Sequence, residues 1–173
     1  MTTPERPADQ LWSIAPEPVD GPIGTVLLRE YYTDIVHRYY RVHCGRDATR
    51  AEIDEALADE PSGHLAPPTG EFLVARHDGA VAGCAGVHLL APRTAELSRV
   101  FIRPGSRRRG GGILLITAAE RVARQTLGAA LLRLDTRNDL VEARALYARL
   151  GYAEIPAYNN SPYAQHWFEK PLG

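Results

Sequence analysis

Residues 95–124, AELSRVFIRPGSRRRGGGILLITAAERVAR, constrain the fold more than any other stretch, because the apolar period changes inside them. Leu97, Arg99 and Phe101 alternate with Val100 and Ile102, as a strand requires, and Pro104 and Gly105 break the run. A basic, glycine-rich turn follows. From Ile113 the pattern becomes a long run of Ile, Leu, Ala and Val with Glu120, Arg121 and Arg124 spaced along it, which suits a mostly buried helix. The unit reads as strand, Arg/Gly turn, helix.

That order has a chemical meaning. The first N–H groups of a helix lack intrahelical acceptors and lie at the positive end of its dipole, so they can receive an anion. Gly110, Gly111 and Gly112 carry no Cβ to hold a phosphate away, and Arg107, Arg108 and Arg109 add donors and positive charge. A pyrophosphate cradle is the expectation. A P-loop is excluded because no Lys follows the glycines, and the dinucleotide G-x-G-x-x-G spacing is absent.

The pattern that fits is R-x-x-G-x-G, filled by Arg107, Gly110 and Gly112. It follows the strand E-L-S-R-V-F-I-R-P, residues 96–104, and precedes an apolar helix; downstream lies A-L-Y-A-R-L-G-Y, residues 145–152. In these segments the chain resembles the GNAT superfamily of N-acetyltransferases, whose [QR]-x-x-G-x-[GA] loop holds the pyrophosphate of acetyl-CoA. The resemblance implies acetyl-CoA as cosubstrate and an α+β (mixed α/β) fold. Its central mixed, mostly antiparallel sheet would be flanked by helices and have a splayed central strand pair. The likeness covers roughly residues 11–172, with specific motifs confined to about 96–152.

At 173 residues and 45% hydrophobic content the chain suits one well-filled core, expected over residues 11–173, behind a frayed polar tail at residues 1–10. A formal net charge of -1 argues against a general polyanion binder, so no nucleic-acid partner is expected. Lys170 is the only lysine. Cys44 and Cys84 lack metal-type spacing and read as small apolar core residues. The opening Met-Thr-Thr-Pro-Glu-Arg is not a signal n-region and no long apolar stretch follows, so a cytoplasmic protein with no membrane partner is expected.

Taken in order, residues 11–19 read as a short edge strand interrupted by Pro16 and Pro18, and residues 21–44 as an amphipathic helix ended by Gly45. Thr49 and Glu52 match a capping box that opens a second helix over residues 49–58. Residues 71–76 and 80–90 form a hairpin around His77-Asp78-Gly79. After the central unit come a strand at 130–136, a helix at 140–150 and a terminal hairpin within 153–172 around NNSP. The order β, α, α, β, β, β, α, β, α, β, β mixes hairpins with crossover helices.

Acetyl transfer to an amine asks for a neutral nitrogen, a donor for the oxyanion and a proton for the thiolate; no metal is required and none is expected. Tyr147 lies where the resemblance places the proton donor, in L-Y-x-x-x-G-[FY]. Glu96, at the start of the central strand, is where some relatives carry the base for the amine, and Ser98 shares its face. Val100, Phe101 and Ile102 would offer free backbone groups to pantetheine and to the thioester. Relatives often carry an Asn seven residues before the helix Tyr; here that position is Leu140, and Asn138 is the candidate to serve instead. Tyr31, Tyr32, Asp34, Arg38, Tyr158, Asn159, Asn160 and Tyr163 are candidates to line the pocket of a small-molecule amine. Of six scattered histidines, His88 alone lies where it could face a cleft, although a core or surface role is the commoner outcome. A homodimer is compatible with the sequence. Two other readings stay open: an acyl-CoA-binding module without catalysis, and a nucleotide binder using the Arg/Gly turn.

Overall fold

The computed structural model describes residues 11–173 together with Pro4 and Pro7, so the expected tail at residues 1–10 lies, those prolines aside, outside the described residues. Strand β1 is Trp12–Pro16, and helices α1 (Pro22–Cys44) and α2 (Arg50–Asp59) follow. Strands β2 (Gly70–His77), β3 (Ala80–Ala91) and β4 (Thr94–Ile102) lead to α3 (Gly111–Gln125). Then come β5 (Leu131–Thr136), α4 (Val141–Arg149), β6 (Ala153–Ile155) and β7 (His166–Pro171). The order of elements is the one the sequence predicts.

Local chemistry sets the boundaries. Pro22 sits in the first turn of α1, where its missing N–H costs nothing, and Gly45 closes the helix at φ 67. The Thr49 hydroxyl accepts from the Glu52 amide while the Glu52 carboxylate accepts from the Thr49 amide, so the capping box is complete. Asp78 and Gly79 both have positive φ, 49 and 84, as a two-residue hairpin turn requires.

The sheet runs β1-β2-β3-β4-β5-β7-β6. Every neighbouring pair is antiparallel except β4 and β5, so this is the mixed, mostly antiparallel sheet of an α+β fold. That one parallel pair is also incomplete. Its register pairs are Thr94↔Leu131, Ala95↔Leu132 and Glu96↔Arg133, and beyond Glu96 the strands part. On its other side β4 stays paired with β3 as far as Ile102↔Gly83, with a register shift between Cys84 and Gly86. Opposite that shift Arg99 has φ 52, a left-handed conformation inside a strand.

Two apolar clusters cover the two faces. Leu115, Ile116, Ala119 and Ala123 of α3 pack with Leu132, Leu134, Tyr147 and Phe168 on one face. Leu27 and Leu28 of α1 pack with Phe72, Val74, Cys84 and Phe101 on the other. Each fully buried Leu or Phe is worth about 1.5–3 kcal/mol of transfer free energy, so both helix layers are firmly seated. Arg103 then ties the end of β4 to α1, donating through Nε and Nη2 to the Glu30 carboxylate and through Nη1 to the Val81 carbonyl.

One core expectation fails. Cys84 is buried and its thiol donates to the Arg99 carbonyl at 3.4 Å, but Cys44 is exposed. The last turn of α1, from Arg41 onward, is exposed at every position, so the helical period there no longer points at the sheet.

Candidate active site

The divergence of β4 from β5 opens a cleft of about 1310 Å³, walled by α1, α2, β4, the turn after β4, the start of α3, β5 and α4. Its first wall is the Arg/Gly turn. One turn of 3-10 helix, Pro104–Ser106, lifts the chain out of β4; Arg108 and Gly110 then adopt left-handed conformations, φ 63 and 79, and α3 begins at Gly111. The helix thus starts two residues before the apolar run that marks it in the sequence. Among the described residues no acceptor is found for the N–H groups of Gly110, Gly111, Gly112 and Ile113, the donors a helix start leaves free.

The three glycines have three different reasons. Gly110 needs its positive φ, and a Cβ there would meet nothing within 4 Å. A Cβ on Gly111 would lie 2.3 Å from Cη2 of Trp12, and one on Gly112 would lie 3.2 Å from Cδ2 of Leu146. Gly111 is therefore small first because Trp12 packs against it, and Gly112 presses only on the tip of the Leu146 side chain.

The arginines divide as well. Arg107 and Arg108 line the cleft, and Arg109 does not. Arg107 is turned inward: Nε donates to the Ile102 carbonyl at 2.8 Å, Nη2 lies 3.7 Å from Oδ2 of Asp34, and the guanidinium stands 5.8 Å from the centroid of Phe101. The side of Arg109 that matters is its carbonyl, which accepts the indole N–H of Trp12 at 2.9 Å.

Between the parted strands, Val100, Phe101 and Ile102 line the cleft, and none of them has a register partner on β5. Their backbone groups on that side face the gap, as an incomplete parallel pair dictates. Across from them stands Tyr147 of α4, 7% exposed, with its ring 5.8 Å from Tyr152 and 6.3 Å from Phe168. Among the described residues its hydroxyl has no hydrogen-bond partner. Burial holds the phenol above its ordinary pKa, with smaller contributions from Tyr31 and Asp135.

The far end of the cleft holds carboxylates and imidazoles. Glu96 accepts the hydroxyl proton of Tyr158 at 2.8 Å, and His88, its register partner on β3, brings Nε2 to 4.0 Å. Burial raises the Glu96 pKa, Tyr158 opposes that, and the charge of Asp135 adds to it. Asp135 of β5 accepts from Nδ2 of Asn159 at 2.7 Å, and Asn159 in turn accepts from the Trp167 indole at 2.8 Å. Burial raises the Asp135 pKa too. His88 stacks edge-on against His64 at 4.4 Å, and burial, then His64 and Arg99, push its pKa down to about 4, so it is neutral at physiological pH. Consecutive loop residues, Tyr158 and Asn159, thus hold one carboxylate on each side of the gap.

Of the sequence candidates, Tyr31, Tyr32, Asp34, Arg38, Asn159 and Tyr163 line this cleft, whereas Tyr158, Asn160 and Asn138 do not; Tyr158 reaches it only through its hydrogen bond to Glu96. Asn138 is occupied elsewhere: its Oδ1 meets Nη1 of Arg144 at 3.3 Å and Nε2 of His166 at 3.0 Å. His88, the one histidine placed where it could face a cleft, does line it, whereas Asp135 carries no signal in the sequence that marks it. Alternation along ALLRLDT puts Asp135 on the face of Arg133, but that this face borders a gap is visible only once β4 and β5 part. Among the described residues no group of three or more His, Cys, Asp or Glu could hold a metal ion. No helix there is long and apolar enough to cross a membrane.

The sequence model of the acetyltransferase (GNAT) family matches residues 29–152, from the middle of α1 to the Tyr after α4. The chain belongs to the GNAT family. An uncharacterized N-acetyltransferase of Schizosaccharomyces pombe is 34% identical to this GNAT chain over 125 residues, covering 71% of it and 76% of the yeast protein. A crystal structure from Klebsiella pneumoniae, titled an acyl-CoA N-acyltransferase, superposes with a TM-score of 0.68 at 26% identity, over 94% of this chain and 99% of that one. The PaiA N-acetyltransferase of Thermoplasma acidophilum, solved with coenzyme A, shares the fold at a TM-score of 0.69 and 15% identity, over 92% and 98% of the two chains. Membership makes acyl transfer the chemistry of this GNAT chain, and the GNAT match spans every wall of the cleft except the loop before β7.

Proposed function

We propose that this GNAT protein transfers the acetyl group of acetyl-CoA to the primary amine of a small molecule, by direct attack in a ternary complex. The observation that carries the reading is the order of groups along one cleft: helix N-terminal amides and then a strand edge, both free among the described residues, then a Tyr hydroxyl unpartnered among them, then a half-buried carboxylate. A pyrophosphate fits the amides of Gly110 to Gly112 with Arg107 and Arg108 beside them. An extended pantetheine arm fits the free edge of Val100 to Ile102. The coenzyme A bound to the Thermoplasma relative supports that donor.

The steps follow from the chemistry of the groups. Glu96, its pKa raised by burial, takes a proton from the acceptor ammonium. The neutral nitrogen attacks the thioester carbon, and a β4 amide at the gap stabilises the oxyanion. As the C–S bond breaks, Tyr147 gives its proton to the departing sulfur, and the second proton, shed by the acylated nitrogen, returns the phenolate to phenol. Asp135 and the neutral His88 make the acceptor end hospitable to a cation, which suits an amine that arrives protonated.

Calorimetric titration with acetyl-CoA and, separately, ATP tests the donor, and release of CoA thiol across a panel of primary amines tests the transfer. The expected result is acetyl-CoA binding, no ATP binding and amine-dependent thiol release. Binding without release under any amine would reduce the protein to an acyl-CoA-binding module; ATP binding in place of acetyl-CoA would overturn the reading.

A further inference from the structure

The donor loop depends on a backbone conformation that its own sequence does not favour. Arg108 and Gly110 are both left-handed, at φ 63 and 79, with Arg109 between them. A left-handed arginine brings its Cβ close to the backbone, is disfavoured against the ordinary right-handed form, and persists only where its surroundings hold it. Among the described residues one side chain from outside the turn does so. Trp12 of β1, 97 positions away in sequence, donates its indole N–H to the Arg109 carbonyl at 2.9 Å.

The Trp12 ring is itself fixed. It is 8% exposed, meets His77 edge-on at 4.8 Å, and fills the space in which a Cβ of residue 111 would lie, 2.3 Å from Cη2. Indole N–H and indole edge therefore grip the carbonyl of residue 109 and the Cα of residue 111 together. The amide between residues 109 and 110 is planar and trans, so a carbonyl drawn toward Trp12 turns the Gly110 N–H the opposite way. Gly110 lines the cleft and Trp12 does not.

Resting on the reading of this cleft as an acetyl-CoA site, we infer that Trp12 is a positioning residue for the donor: by holding the Arg109 carbonyl, it fixes the Gly110 amide as a phosphate donor. Its influence falls on the pyrophosphate and not on the reacting atoms. A truncated donor such as S-acetyl-N-acetylcysteamine, which has the thioester and no phosphate, is blind to it.

The test compares Trp12→Phe with the wild type, using acetyl-CoA and the truncated thioester as alternative donors. Loss of one hydrogen bond of ordinary strength should raise KM for acetyl-CoA about five- to tenfold, while kcat at saturation, KM for the amine and all constants with the truncated donor stay within about twofold. Gly110→Ala penalises the same backbone conformation without touching the Trp12 packing, since its Cβ would meet nothing within 4 Å, and should give the same signature. An unchanged KM for acetyl-CoA in both variants, or an equal loss with both donors, would overturn the inference while leaving the transferase reading intact. Failure of the wild type to use either donor would instead overturn that reading and this inference with it.

Discussion

Replacing Tyr147 by Phe removes a single oxygen from the centre of the cleft, and the structure separates its two consequences. The ring contacts with Tyr152 and Phe168, at 5.8 and 6.3 Å, survive the change. The hydroxyl has no partner among the described residues, so no internal hydrogen bond is lost and relief of its desolvation offsets any loose packing; the expected stability change is within about 0.5 kcal/mol. Catalysis is another matter. Without a proton donor the sulfur leaves as a bare thiolate, and general-acid catalysis is worth about 10²–10⁴-fold, some 3–5 kcal/mol of barrier. Thiol-release kinetics with a competent amine should show kcat reduced at least about 100-fold, with acetyl-CoA affinity by titration and melting temperature nearly unchanged. Because burial holds the phenol above its ordinary pKa, near 10, it stays protonated through pH 9 and gives the wild type no alkaline limb there. An undiminished kcat in the Phe variant would refute Tyr147 as the acid, and so would a limb below pH 9 that vanishes with it.

Other outcomes follow from the charged groups. Glu96 must be ionised to accept a proton and its pKa is raised, so wild-type kcat/KM should climb with pH through a value above the usual carboxylate range; Glu96→Gln should abolish that limb and lower kcat/KM about 100-fold. The same raised pKa means that folded-state stability falls as pH rises through it, so the Gln variant should melt higher than wild type at pH 8, with the difference closing below about pH 4; a constant difference would contradict the burial argument. Asp135→Asn should raise KM for the amine about tenfold and leave acetyl-CoA affinity unchanged; an unaltered amine KM would remove Asp135 from acceptor recognition. Asp34→Asn frees Arg107 from a half-exposed contact at 3.7 Å and should tighten acetyl-CoA binding by no more than about fivefold, the limit for such a pair; weaker binding would show that Asp34 holds Arg107 in its working position.

Much of this architecture is legible in the chain because its signals are local. The switch of period at Gly110 to Ile113, the Thr49–Glu52 box and the Asp78-Gly79 turn each specify an element from a few residues, and the element order follows from them. What escaped is tertiary. Asp135 looks like one more polar residue of an alternating strand until the register with β4 stops at Glu96↔Arg133 and its face becomes a wall. Gly111 reads as a phosphate-loop glycine until Trp12 is found against it, 99 positions away in the chain. Asn138, two residues from the expected position, is diverted to Arg144 and His166 by the geometry where β5 ends, and no spacing rule reveals that. Cys44 fails for a simpler reason, since a helix that overhangs its sheet loses its buried face.

The most direct test of the account is a crystal structure of the protein with acetyl-CoA. The expected complex has the pyrophosphate on the amides of Gly110 to Gly112, the pantetheine arm along Val100 to Ile102 in the gap between β4 and β5, and the thioester sulfur within hydrogen-bonding reach of the Tyr147 hydroxyl. Acetyl-CoA bound outside that gap, or a sulfur remote from Tyr147 with the acetyl group turned away from Glu96, would contradict it.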